Sequence, residues 1–356
     1  MRTFATKLLL VLLPVALTVV VNVAYDPSHA LRDGPEREAA SLLVAGKAVA
    51  GLVNYDERRL VWYVLQQLSA PRNVGVIGSS RAMQIRATDF PGSTLFNASV
   101  SATTIEDLVA IAGEHARRGL LPARMVVELD PWLLNGRRQN DQWRVMEQAY
   151  NEVMAASGLP PAPRTLPQAF TRVQAAFSPA YFQEALREIK AHRSLRLSPA
   201  VEATTDVAGL VLPDGSHVYP LTMRARTPAF VEGLAAGRLA DLRRNAELTD
   251  FTELDPFALQ RLEAMIAFMR ARGSTVSLLL SPFHPTTVRL LQASGEYDMI
   301  ARTEAAYREL AARVGVPLGG SFDAVVAGCG PDEFFDSDHP RESCVSRILR
   351  TMALVE

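Results

Sequence analysis

The sequence predicts an α/β fold in three layers: a parallel sheet between helices, with a mostly helical insertion and an N-terminal transmembrane helix. Three observations predict it. Short, continuously apolar runs recur along the chain, as strands buried on both faces require. Amphipathic stretches of helical period lie between them, so strand and helix alternate. One stretch near the N-terminus, residues 8–25 (LLLVLLPVALTVVVNVAY), carries no charge over 18 positions. The chain has 356 residues, 48% hydrophobic and 21% charged, which is enough to bury a full core.

The uncharged stretch would rise roughly 27 Å as a helix, close to the ~30 Å hydrocarbon core of a bilayer. Arg2 and Lys7 precede it and Asp26 follows it. That asymmetry puts the N-terminus in the cytoplasm and the main domain outside the inner membrane, in the periplasm or its equivalent. A signal-anchor over residues 1–25 is expected. A cleaved signal is the alternative, although the small-residue sites nearby are poor. Residues 26–71 read as a linker and a lead-in helix, the latter over 36–68. Residues 72–356 read as the α/β domain, with the insertion at about 136–250.

Within the domain, residues 73–77 (NVGVI) give a first strand that stops at Gly78. Residues 93–96 give a second. Residues 104–118 are amphipathic, with Ile105, Leu108, Val109 and Ala112 on one face and Gly119 closing the helix. Thr103 and Glu106 have the spacing of a capping box. Residues 124–129 (RMVVEL) are a third strand and 275–280 (TVSLLL) a fourth. Helices are expected over 255–272, 297–314 and 341–354, with a short fifth strand at 316–318. The expected strand order is 2-1-3-4-5, a flavodoxin-like sheet. The insertion holds a Pro-rich stretch at 159–163, a helical run at 168–193 and a hairpin at 210–219 turning on Asp214-Gly215. It is expected over one end of the sheet, where insertions build clefts.

Composition narrows the function. Net charge is -1, from 37 basic and 38 acidic residues, so no global field attracts nucleic acid. Two cysteines are too few for a disulfide scaffold or a zinc site. No cofactor motif is visible.

Three segments carry chemistry. The first, Gly78-Ser79-Ser80-Arg81, directly follows the first strand. A serine there sits at the C-terminal edge of the sheet, near free N–H groups that favour developing negative charge. It is either a nucleophile or a cap. The second runs from Asn97 to Thr104 after the second strand. It offers backbone N–H groups for an oxyanion hole, or is an ordinary capping loop. The third, Phe334-Phe335-Asp336-Ser337-Asp338-His339-Pro340, precedes the last helix. Asp336 and His339 are three apart and face each other in one bend. An aspartate that orients a histidine is the support a general base needs. A capped helix start with a surface histidine is the bland reading, and a metal cluster of Asp336, Asp338 and His339 a third. All three segments lie where a parallel strand ends, so they converge on one edge as a nucleophile–base–orienter set.

On these residues the sequence resembles the SGNH (GDSL-like) hydrolase superfamily. The family's Gly-Asp-Ser block is matched by Gly78-Ser79-Ser80. Its Asn-x-Gly-x-x-Gly-type block is matched by Asn97-Ala98-Ser99-Val100-Ser101-Ala102. Its Asp-x-x-His is matched by Asp336 and His339. The likeness is nearest to the membrane-anchored DltD-like and alginate-acetylation-type branch, which also shows Asn-x-x-x-Asp-Pro after the anchor, here Asn22 to Pro27. The resemblance implies Ser80 as nucleophile, His339 as base and Asp336 as orienter, with Ser79 the fallback nucleophile. It implies that the N–H groups of Ser80 and Ser99 hold the oxyanion, with Asn97 lining the same block. The third block is a departure. Strand three ends Glu128-Leu129-Asp130-Pro131, with no Asn at the expected place.

Asn135, His284 and Arg81 also fall near the edge and are candidate substrate-binding residues, Arg81 for an anionic group. His217 and Tyr219 are candidates for the cleft rim. Cys329 and Cys344 flank the base segment. In an oxidising compartment they bond and clamp it; otherwise they are buried thiols. The expected function is a serine esterase or O-acyltransferase acting on acyl, above all acetyl, esters of a cell-envelope or exported polysaccharide. A membrane-bound O-acyltransferase is the implied partner. The alternative is a catalytically inactive relative that binds glycan or scaffolds a synthesis complex.

Overall fold

The computed structural model describes residues 2–26, 31, 34–52, 55–137, 140–163, 168–190, 198–200, 209–245 and 252–352. In chain order the elements begin α1 (Arg2–Tyr25), α2 (Glu36–Val44), β1 (Ala48–Ala50), α3 (Glu57–Gln67), β2 (Val74–Ile77) and β3 (Leu95–Asn97). They continue α4 (Ile105–Arg117), β4 (Arg124–Leu129), α5 (Glu147–Ala156), α6 (Gln168–Phe177), α7 (Pro179–Lys190), β5 (Ser198–Ala200), β6 (Leu210–Val211) and β7 (His217–Val218). The last are α8 (Leu221–Arg224), α9 (Pro228–Asn245), α10 (Pro256–Arg270), β8 (Thr275–Leu280), α11 (Pro285–Ser294), α12 (Asp298–Val314), β9 (Leu318–Gly320) and α13 (Glu342–Thr351).

Five strands form a parallel sheet in the order β3-β2-β4-β8-β9. Counted within the sheet this is 2-1-3-4-5, as expected. Val74 lies opposite both Leu95 and Arg124, Arg124 opposite Thr275, and Leu278 opposite Leu318. Side chains alternate between two cores, as strand geometry dictates. Ile77, Val127, Leu129, Leu278 and Leu280 pack with the helices α2, α3, α4, α5, α10 and α12. Val74, Val76, Val126 and Leu279 face the other way, onto Ile85, Phe90 and the apolar side of α13.

The helix starts follow local chemistry. The α4 box forms one residue later than expected, with Thr104 accepting from Asp107 N and Asp107 returning the bond to Thr104 N. Asp255 caps α10, whose first residue is Pro256. The lead-in is not one helix over 36–68. It breaks at Gly46 and Gly51, both with positive φ (79° and 76°), and β1 forms between them. Strand β1 pairs antiparallel with β5 and β6, and β6 with β7, in a second, four-stranded sheet. The lead-in and the insertion therefore share one structure. The run over 168–193 also divides, into α6 and α7.

Residues 8–25 lie in α1, as expected, but the transmembrane helix is not found. Among the described residues, no helix is long and apolar enough to cross a membrane. Part of α1 has side chains outside the described residues. Its described end is polar in function: Asn22 is buried, and its amide donates to the carbonyls of Ala175, Ala176 and Ser178 at the end of α6, 3.0–3.1 Å away. Tyr181 Oη donates to Asp26 Oδ1 at 2.6 Å. These contacts tie the Asn-x-x-x-Asp segment to the helical hairpin of the insertion. Pro27, the last member of the motif, lies outside the described residues.

The β6–β7 hairpin turns at Asp214-Gly215 and covers the C-terminal edge of β2 and β3. Asn97 N donates to Asp214 O at 2.7 Å, and His217 N donates to Met83 O at 2.8 Å. Gly215 has φ 81°, and a Cβ there would lie 2.2 Å from Asn97 O. Only glycine allows this approach.

Candidate active site

The turn after β2 sets the site. Gly78 packs on the neighbouring strand so closely that a Cβ would lie 2.6 Å from Glu128 Cβ. Ser79 then points inward. It is fully buried, its N–H donates to Glu128 Oε2 at 2.9 Å, and its Oγ accepts from Arg81 N at 3.2 Å. That geometry removes Ser79 as the fallback nucleophile. Ser80 comes next and is partly exposed.

Ser80 Oγ lies 2.9 Å from His339 Nε2. His339 Nδ1 lies 2.9 and 3.0 Å from the two carboxylate oxygens of Asp336. A carboxylate only accepts, so Nδ1 carries the proton and the Nε2 lone pair faces the serine. Asp336 Oδ1 also accepts from the N–H groups of Asp338 and His339, each at 2.9 Å. Burial opposes its charge, but the His339 hydrogen bond and charge hold the carboxyl well below the usual carboxylate range. Burial likewise opposes charge on His339, yet the Asp336 hydrogen bond and charge lift the imidazole above its ordinary 6.5. Asp338 faces elsewhere, with Oδ2 2.7 Å from Arg238. The carboxylates of the segment thus have separate partners and do not converge as metal ligands.

The base loop is braced along its length. Phe334 pairs with Pro340 as an antiparallel bridge, and Phe335 N donates to His339 O at 2.9 Å. Cys329 and Cys344 are disulfide-bonded across a separation of 15 residues, as the sequence anticipated. Tyr219 roofs the site: its Oη donates to Ser80 O at 2.9 Å, and its ring stands edge-on to Phe335 and His339.

The second block is a correction. Four of its N–H groups, including that of Ser99, are already bonded within the protein. Ala98 N donates to Val76 O, Val100 N to Gly78 O, Ser101 N to the Glu57 carboxylate, and Ser99 N to Asn97 Oδ1 at 3.0 Å. Ser99 Oγ is sealed from solvent without a partner, out of reach of an incoming oxygen. Asn97 does not meet substrate either: its amide donates to Ala82 O and Ile85 O, bracing the turn that follows Ser80. Among the described residues, the Ser80 N–H has no acceptor, and neither do those of Ala102 and Thr103. The place of the second glycine is held by Ala102 at φ 51°, a conformation that favours glycine.

Three further candidates move. His284 is buried at the start of α11, where Nδ1 accepts from Thr286 N at 3.2 Å and its own N–H donates to Ser337 O. It props the base loop and does not face substrate. Asn135 is buried, and its Oδ1 accepts from Arg137 N. It lines a cavity of about 410 Å³ with Arg137, Glu253, Asp255 and Phe257, and no member of the serine–histidine–aspartate set lines that cavity. Arg81 is 1% exposed and ion-pairs with Asp130 at 2.7 Å, so it is no surface anion binder.

The sequence reading gave Glu128 and Asp130 no role. Burial, then the charge of Asp130, pushes the Glu128 carboxyl well above its usual range beneath the serine turn. A visible signal existed: an acid inside the apolar run of β4 must have buried partners.

No family model, no curated protein and no solved structure matches the chain.

Proposed function

We propose that the protein is a serine esterase or O-acyltransferase of the SGNH hydrolase type. The observation that carries this reading is the Ser80–His339–Asp336 relay, with 2.9 Å on each side of the imidazole. The 2-1-3-4-5 parallel sheet, with the serine after its first strand and the base before its last helix, supports it.

In the reaction, Ser80 Oγ attacks the acyl carbon as its proton passes to His339 Nε2. The C–O bond of the ester breaks, and the leaving oxygen takes that proton. Water or a sugar hydroxyl then gives its proton to His339 and attacks the acyl-enzyme; the acyl bond to Ser80 Oγ breaks, and Oγ takes that proton from His339. The Ser80 N–H faces the oxyanion. Acyl esters of an envelope or exported polysaccharide are the proposed substrates, and a membrane-bound O-acyltransferase the proposed acyl source. The uncharged run of α1 and the disulfide favour a place at the outer face of the inner membrane.

The test is covalent labelling of the full-length chain by a fluorophosphonate. Labelling that persists in Ser79→Ala and vanishes in Ser80→Ala and His339→Ala is expected. A folded wild type that stays unlabelled sinks the enzymatic reading. A second reading, a glycan-binding scaffold, is favoured by the spent N–H groups of the second block. It predicts glycan binding without labelling.

A further inference from the structure

Resting on the proposed ester chemistry, we infer that Arg81 is a positioning residue whose guanidinium fixes the loop of the general base against the turn of the nucleophile. A buried charge needs compensation, which Asp130 supplies, and its remaining N–H donors need acceptors as well. What is informative about Arg81 is where those acceptors lie. Nη1 donates to Asp130 Oδ1 at 2.7 Å, after β4. Nη2 donates to the Ser281 carbonyl, after β8. Nε donates to Asp338 O at 3.0 Å, the residue immediately before His339. The guanidinium plane lies over Phe283, 4.1 Å from the ring centre. One side chain next to the nucleophile therefore joins the ends of β2, β4 and β8 to the base loop.

These contacts set a distance rather than merely fill a core. The backbone of Asp338 cannot shift away from Arg81 without carrying His339 with it. Lysine cannot replace this, because its ammonium is not planar and lacks the fixed fork of donors.

The guanidinium also has an electrostatic effect on the base. Its charge opposes protonation of His339, against the favouring charges of Asp336 and Asp338. Other groups around the base are Tyr219 from the hairpin, Arg226 at 3.8 Å from Asp336, and Arg238 of α9 on Asp338. An arginine buried elsewhere in the core, away from the base loop, would leave the titration of His339 where it is.

The experiment follows fluorophosphonate labelling rate against pH in the full-length chain. Wild type is compared with Arg81→Lys and with the double variant Arg81→Met/Asp130→Asn, which removes both buried charges together. Near-ultraviolet circular dichroism establishes that each is folded. The double variant is expected to label about 100-fold more slowly, the scale of a 1 Å misplacement. Its acid limb should move to higher pH, because His339 then holds its proton more firmly. Arg81→Lys keeps the charge, so it should slow labelling with its limb unmoved. A folded double variant with wild-type rate overturns the inference. So does a rate loss in the double variant with an unmoved acid limb, which leaves Arg81 a structural residue. A wild type that does not label removes the premise itself and is told apart by that failure.

Discussion

The base loop and the second-block loop lie at the same edge of the same sheet, yet they spend their hydrogen bonds differently. Residues 334–340 are braced from outside by Tyr219, Arg81, His284 and the disulfide, and the bracing leaves His339 Nε2 aimed at Ser80. The loop after Asn97 turns its N–H groups onto its own strands and side chains. The difference teaches that proton transfer and anion stabilisation are separable parts of such a site. Here the serine–histidine–aspartate hydrogen bonds are complete, whereas the Ser99 and Ser101 amides of the second block are already bonded.

The largest expected effect breaks the better-built side. Asp336→Asn presents a donor to Nδ1 and forces the wrong tautomer, so the labelling rate should fall about 10⁴-fold. The pH profile sharpens the point. His339 must be neutral to act, and Asp336 lifts it above 6.5, so wild-type labelling should be lost as pH falls through a value above 6.5. In Asp336→Asn the acid limb of the residual rate should move down. An unmoved limb would mean that the aspartate does not govern the imidazole.

Removal of the disulfide tests the bracing. The Cys329→Ser/Cys344→Ser variant should lose about 3 kcal/mol of unfolding free energy in urea, as a loop of this length implies. The weaker side should respond little. Ala102→Gly relieves a left-handed conformation and is expected to add about 1 kcal/mol to stability, read as a higher urea midpoint. Ser99→Ala should label within about twofold of wild type, because the sealed hydroxyl is not offered to substrate; a loss near the 100-fold scale of a true oxyanion donor would restore that hydroxyl to the mechanism.

Most of the sheet was legible because its strands are continuous apolar runs. Strands β4 and β8 match their expected limits, and the strand order followed from the alternation of strand and helix. Ser80 was legible because a strand end fixes where a side chain stands, and Asp336 and His339 because a spacing of three lets them face each other in one bend. Direction was not legible. Arg81, Asn97 and His284 stand close to the site but turn polar groups inward onto backbone or buried charge, and Ser99 buries its hydroxyl without a partner. The second sheet was hidden for another reason. Ala50 pairs with Ser198 and Leu210, partners far along the chain that no local pattern announces. Residues 36–68 therefore read as a single helix, when Gly46 and Gly51 in fact free a strand for that pairing.

The contact between Ser80 and His339 joins residues 259 positions apart. A ribosome adding about 5–20 residues per second needs roughly 13–52 s to pass from one to the other. Cys344, which closes the bracket around the base, is made later still. The growing chain thus carries its serine for most of its synthesis without its imidazole partner. Under the proposed ester chemistry, reactivity arrives only with His339, so a truncated or stalled product is chemically quiet.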